Sequence, residues 1–144
     1  MRVKKTARPV RNEKLRVRLH PVTLLRLHPP SSVRNAFARG VVLYERGYGG
    51  AGLRPETVRW ARRITQGEPI TLAKAKLMRA WLLRHGPSAL EAARRLEDPT
   101  SPAAVAWRLW GATPSIPYAR SGWRDPVWVW LKSLGRGAGF ASVK

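Results

Sequence analysis

Residues 61–85 read ARRITQGEPITLAKAKLMRAWLLRH, and the punctuation inside this stretch sets the fold class. Gly67 is a natural helix stop, because glycine accepts the left-handed conformation that closes a helix. Four residues on, Thr71 offers a side-chain oxygen to the free N–H groups of a new helix start. The helix it opens is expected to run to about His85, with Ala75, Met78 and Leu82 on one stripe, widened by Leu72, Leu77 and Trp81. Lys74, Lys76, Arg79 and Arg84 are expected on its wet side. Upstream, Pro55 suits a first helical position and Glu56 suits the positive end of a helix dipole. Val58, Ala61 and Ile64 then face inward, and Arg59, Arg62 and Arg63 project elsewhere.

The same signals repeat in both directions. Ser31 or Ser32 can cap a helix to about Arg46, with Val33, Phe37, Val41 and Tyr44 forming its stripe. Gly47 ends it, and the GYGGAG run that follows reads as a flexible loop; without a following Lys-Ser/Thr it is no phosphate cradle. After Gly86-Pro87, a short helix over 88–97 carries Leu90, Ala93 and Leu96, and it closes on the acidic pair Glu97-Asp98. Ser101-Pro102 starts SPAAVAWRLWG, whose Ala103, Ala106, Trp107 and Trp110 share a face before Gly111. Pro114, Pro117 and Pro126 make the next segment irregular, and VWVWLKSL fits either a buried strand or a pair of amphipathic helical turns. The expected fold is mostly α, a compact bundle of four or five short helices over 31–111. A basic N-terminal arm (1–30) precedes it, and a Pro/Trp-rich extension (112–144) with a mobile, basic, Gly-rich end follows.

Charge narrows the function classes. The chain has 28 Lys and Arg against 8 Asp and Glu, a formal net charge of +20. Most basic side chains therefore lack a carboxylate within the molecule, and a polyanion is the natural partner. No stretch approaches the roughly 18 apolar residues of a membrane span, so a membrane partner is not expected. The first twenty residues have no uninterrupted apolar segment, so no secretory signal is expected either. With no cysteine, thiol chemistry and disulfides are excluded. His20, His28 and His85 are the only histidines and no HExxH spacing occurs, so no cofactor or metal is expected.

At this point a resemblance is visible. ARRITQGEPITLAKAKLMRAWLLRH followed by SPAAVAWRLWG resembles a small helical module of tailed-phage proteins, one often near or fused to head-morphogenesis proteins. It is carried by Ala61, Arg62, Ile64, Gly67, Met78, Trp81, Arg84, His85, Ala106, Trp107, Leu109, Trp110 and Gly111. Where the module has Gly-Gly and then an acidic residue, this chain has Gly111-Ala112 and Thr113. The resemblance covers about residues 33–111 and implies a viral setting, host cytoplasm or virion, without implying an activity.

The candidate nucleic-acid-binding residues follow from the charge pattern. Arg59, Arg62, Arg63, Lys74, Lys76, Arg79 and Arg84 can form one helical basic surface, extended by Lys4, Lys5, Arg8, Arg11, Arg16 and Arg18 of the arm. In the arm, Leu15, Val17 and Leu19 alternate with Arg16 and Arg18, as in a short strand. Among seven tryptophans, Trp81, Trp107 and Trp110 belong on apolar faces. Trp60, off its helix's stripe, and Trp123, beside Arg124, are the stacking candidates. Arg84-His85 suits the negative end of a helix dipole better than catalysis, because no orienting carboxylate or nucleophile stands out nearby. The helices flanking QGEPI have the outline of a helix-turn-helix, but the turn is long, contains Pro69, and the second helix offers Lys and Arg rather than base-reading Asn and Gln. The expectation is a non-enzymatic protein that binds nucleic acid, DNA ahead of RNA, largely without sequence specificity. The alternatives are a virion-structural or host-protein-targeting interaction module, and an RNA- or ribosome-associated protein.

Overall fold

The computed structural model describes residues 26–114, 124–138 and 140. Among them the chain forms β1 (Arg26–Leu27), α1 (Ser31–Glu45), α2 (Pro55–Thr65), β2 (Ile70–Thr71), α3 (Leu72–His85), α4 (Ala89–Glu97), α5 (Pro102–Leu109), α6 (Pro126–Ser133) and a 3-10 turn (Gly135–Ala138). The fold is mostly helical, as the punctuation predicts, with five helices inside 31–111. The Leu15–Leu19 segment of the arm lies outside the described residues.

Helix boundaries follow local chemistry. The Thr71 hydroxyl accepts from the Lys74 N–H at 3.1 Å, Ser88 accepts from Glu91 N–H at 3.2 Å, and Ser101 accepts from Ala104 N–H at 3.2 Å. α1 and α2 end alike. Gly47 (φ 92°) and Gly67 (φ 100°) take the left-handed conformation, and the next residue's N–H reaches back to Leu43 and Arg63 carbonyls respectively. That pairing absorbs carbonyls the helix end would leave open. Pro30, not a serine, precedes the first turn of α1, and no side chain caps it.

α1 is the central helix. It packs on α2 and α5 and also meets α6, through Val33, Ala36, Phe37, Gly40 and Val41. Gly40 is where α5 comes closest: a Cβ there would stand 2.9 Å from the Leu109 nitrogen and 3.0 Å from the Arg108 carbonyl carbon. Gly111 (φ 89°) plays the same part against Phe37, whose ring would be 2.8 Å from an added Cβ. The residues past 111, expected as an extension, contribute to the same core: Ala112, Val127, Leu131 and Ala138 join Val33, Phe37, Met78 and Leu82. VWVWLKSL is helical, in α6, because Asp125 caps it and Pro126 occupies its first position.

Several expected faces are turned. Tyr44 is exposed and Leu43 takes its inward place, because the stripe of a 3.6-residue helix drifts over three turns. On α3, Leu77 is 57% exposed and Lys74 is buried at 3%. On α4, Ala93 and Leu96 face solvent and Arg95 is buried. In α5, Ala104, Val105 and Leu109 are fully covered with Trp107, whereas Ala103, Ala106 and Trp110 are half-buried.

Candidate nucleic-acid interface

The turn between α2 and α3 does not build a helix-turn-helix. β2 pairs antiparallel with β1, Arg26 opposite Thr71 and Leu27 opposite Ile70, and α3 leaves that pair to pack on α6 and the 3-10 turn. α2 instead lies on α1, so the two helices barely touch. Both add side chains to the common core, and Lys74 at the start of α3 reaches toward Trp60 of α2.

Lys74 leaves the first turn of α3 and runs inward. Its ammonium stands 3.9 Å from the centre of the Trp110 ring and 5.4 Å from that of Trp60. No carboxylate comes within ion-pairing distance among the described residues. Burial pushes its pKa down to about 8, and the more distant Glu56 charge pulls it partly back. The electron-rich ring faces are its counter-charge. Expected on the nucleic-acid-binding surface, Lys74 is thus a structural residue; the i, i+3, i+4 pattern placed it beside the stripe without revealing the two tryptophans that would receive it.

From Lys74 a continuous aromatic array runs through the middle of the molecule. Trp110 stacks on Trp81 at 5.4 Å with planes 13° apart, and Trp81 meets Trp107 at 5.7 Å and His85 at 4.3 Å. Arg95 closes the far end, its guanidinium carbon 3.7 Å from the Trp107 ring centre. The tryptophans expected on apolar faces therefore pack together, and two cations bracket them. Burial lowers the pKa of Arg95, and Glu91 and Asp125 oppose that shift. The Asp125 carboxylate is held by the backbone N–H groups of Thr113 (2.8 Å) and Val127 (3.2 Å), and burial nevertheless raises its pKa. The Trp107 indole N–H faces this carboxylate but falls short of hydrogen-bond geometry.

The remaining candidates divide. Arg59, Lys76, Arg84 and Arg124 are exposed. Arg62 and Arg63 are also exposed, and each meets a carboxylate: Arg62 pairs with Glu45 at 3.4 Å, and Arg63 with Glu68 at 3.2 Å. Arg63 also stands 5.1 Å from the Trp60 ring, so Trp60 lies against two cations and is half-buried. Arg79 is half-buried against Phe140, 4.7 Å from its ring centre. Lys4, Lys5, Arg8, Arg11, Arg16, Arg18 and Trp123 lie outside the described residues. The structure brings Arg63, Trp60 and Lys74 together, but it does not join the α2 arginines to Lys76 and Arg84 through Lys74.

One partner escaped the sequence reading. His85 Nδ1 lies 3.2 Å from Glu91 Oε1, an ion pair whenever the imidazole is protonated. The Gly86-Pro87 break folds α4 back on the end of α3, and six residues of separation carry no sequence signal for such a contact. Among the described residues no three His, Asp or Glu side chains gather as a metal site, and no helix is long and apolar enough to cross a membrane.

The carboxylates are almost all engaged in local structure. Besides the pairs made by Glu45, Glu68 and Glu91, Asp98 accepts from Thr100 N–H and Oγ1–H, and Asp125 caps α6. Glu56 sits in the first turn of α2. Arg26, Arg39, Arg46, Arg54, Arg59, Lys76, Arg84, Arg94, Arg124 and Lys132 are left exposed with no carboxylate partner among the described residues. The chain matches no protein family, no characterised protein and no solved structure in sequence or fold comparison.

Proposed function

We propose that this protein binds nucleic acid, DNA ahead of RNA, largely without sequence specificity, as a small accessory protein of a tailed phage acting in the host cytoplasm or virion. One observation carries the binding reading: ten exposed cations without a carboxylate among the described residues, in a chain of net charge +20. Such a surface gains from displacing the counterions condensed on a phosphate backbone, and it needs no base contacts to do so. The exposed pairs Arg62–Glu45 and Arg63–Glu68 are no obstacle. Exposed ion pairs contribute about 0–1 kcal/mol, so a phosphate can take either arginine at small cost. The phage setting rests on the resemblance of residues 33–111 alone.

A protein partner is the second reading. It is favoured by Leu77 and Leu83, both exposed on α3 beside Lys76 and Arg84, an apolar and basic combination suited to an acidic protein surface. Fluorescence anisotropy with mixed-sequence duplex DNA, single-stranded DNA and RNA across a salt series separates the two. Binding that is indifferent to sequence and falls steeply with salt supports nucleic acid; absence of binding at near-physiological salt removes that reading and leaves the protein partner.

A further inference from the structure

The loop after α1 encloses an open concavity of about 550 Å³, lined by Tyr44, Glu45, Tyr48, Arg62 and the glycine-rich backbone of residues 47–51. Both tyrosines are exposed, Tyr44 by 37% and Tyr48 by 44%. Neither hydroxyl has a hydrogen-bond partner and neither ring packs on another aromatic among the described residues. Nothing in the packing of the core requires two aromatic rings here.

The backbone that carries them is nevertheless fixed. Gly47 donates to the Tyr44 carbonyl at 3.0 Å and Tyr48 donates to the Leu43 carbonyl at 3.1 Å, the paired bonds that lock a helix end. Gly49, at φ 116°, lies against Leu53, whose Cδ1 would be 3.0 Å from an added Cβ, and within ordinary contact of the Tyr44 ring, whose Cδ1 would be 3.6 Å away. The glycine-rich loop thus lines the concavity together with both tyrosines. At the same concavity, Arg62 is held by one exposed contact to Glu45, 3.4 Å long.

We infer that this concavity receives an unpaired nucleobase, stacked on Tyr48 and Tyr44, while Arg62 exchanges Glu45 for the adjoining phosphate. The inference rests on the nucleic-acid reading and adds to it a preference for single strands, because a paired base has no free face to offer a ring. Aromatic stacking serves any base, so the site adds affinity without imposing a sequence. The concavity is open to solvent, so a base enters it without displacing a core side chain.

The test is anisotropy of labelled dT12, rU12 and a 12-base-pair duplex at one fixed salt concentration, with the full chain and its Tyr48→Ala and Tyr48→Phe variants. Tyr48 is exposed at a backbone-fixed position, so neither variant removes a core side chain. The expected result is about five- to hundred-fold weaker single-strand binding for Tyr48→Ala, unchanged duplex binding, and single-strand binding retained by Tyr48→Phe. Loss on dT12 alone assigns the site to DNA, loss on rU12 alone to RNA, and either supports it. If Tyr48→Ala weakens duplex and single strands alike, or neither, the stacking site is overturned while the nucleic-acid reading stands. If the wild-type chain binds none of the three, both fall.

Discussion

The Lys74 ammonium lies 3.9 Å from the centre of the Trp110 ring, and this contact joins the start of α3 to the end of α5. A lysine so placed loses most of its hydration and receives only part of that loss back from the ring. A pKa lowered from 10.5 to about 8 corresponds to a cost on the order of 3 kcal/mol for keeping the charge. A desolvated cation–π contact returns about 2 kcal/mol. The cost is the larger, and the first prediction follows from its sign.

Below pH 8 both folded and unfolded chains hold the Lys74 proton. Between pH 8 and 10.5 the unfolded chain holds more, so this group makes stability rise with pH across that window. Lys74→Met keeps the length and removes the charge. It is expected to stabilise the protein by about 1 kcal/mol at pH 7 and to flatten the rise between pH 8 and 10.5. Urea unfolding of both proteins at pH 7 and pH 10 measures this; a variant less stable at pH 7, beside a wild type without the rise, would show that the ring contact outweighs the desolvation.

The same variant also bears on function. Because Lys74 is 3% exposed, Lys74→Met is expected to leave nucleic-acid affinity unchanged within about two-fold. Reversing Arg59, Arg62 and Arg63 to Glu should weaken binding to duplex and single strands alike. Each lost phosphate contact lowers the slope of log affinity against log salt by about 1. A triple reversal that leaves every nucleic acid bound as before, or a Lys74→Met that weakens them all, would mean the binding face lies elsewhere.

Gly40→Ala reverses an ordinary expectation. In a free helix interior this change adds about 1 kcal/mol of helix stability. Here the new methyl meets backbone, the Leu109 nitrogen at 2.9 Å and the Arg108 carbonyl carbon at 3.0 Å, and neither can swing away. A loss of about 1–3 kcal/mol is expected from separating α1 and α5. Thermal and urea melts decide it, and an unchanged or raised midpoint would place the helix crossing elsewhere.

Asp125→Ala is expected to loosen α6. The carboxylate accepts from Thr113 N–H and Val127 N–H, both part of the attachment of α6 to the core. Losing it leaves those donors without their partner at a buried site, a cost of about 2 kcal/mol. Hydrogen exchange should show the α6 amides opening first, ahead of those of α1. Uniform loss of protection would instead mean that α6 and the core unfold as one unit.

The helices themselves were legible in the sequence because their signals are local. Thr71, Ser88 and Ser101 cap through oxygens within three residues of the N–H groups they satisfy, and Gly47 and Gly67 terminate through their own backbone freedom. The charge excess was equally plain, since counting needs no geometry. What residues 112–140 do was not legible. Periodicity along VWVWLKSL cannot tell a strand from a helix, and only the Asp125 cap and the space beside Phe37 and Gly111 settle that α6 enters the core. Lys74 and Arg95 show the deeper limit. A cation beside an apolar stripe reads as a wet side chain unless aromatic faces from distant helices close over it. The tryptophans that do so are brought by α2, α5 and the end of α5, as many as 36 residues away in the case of Trp110, and which rings meet is set by the packing of whole helices. Local chemistry therefore determined where the helices start and stop, and tertiary structure alone decided which of the charges remain free to meet an anion.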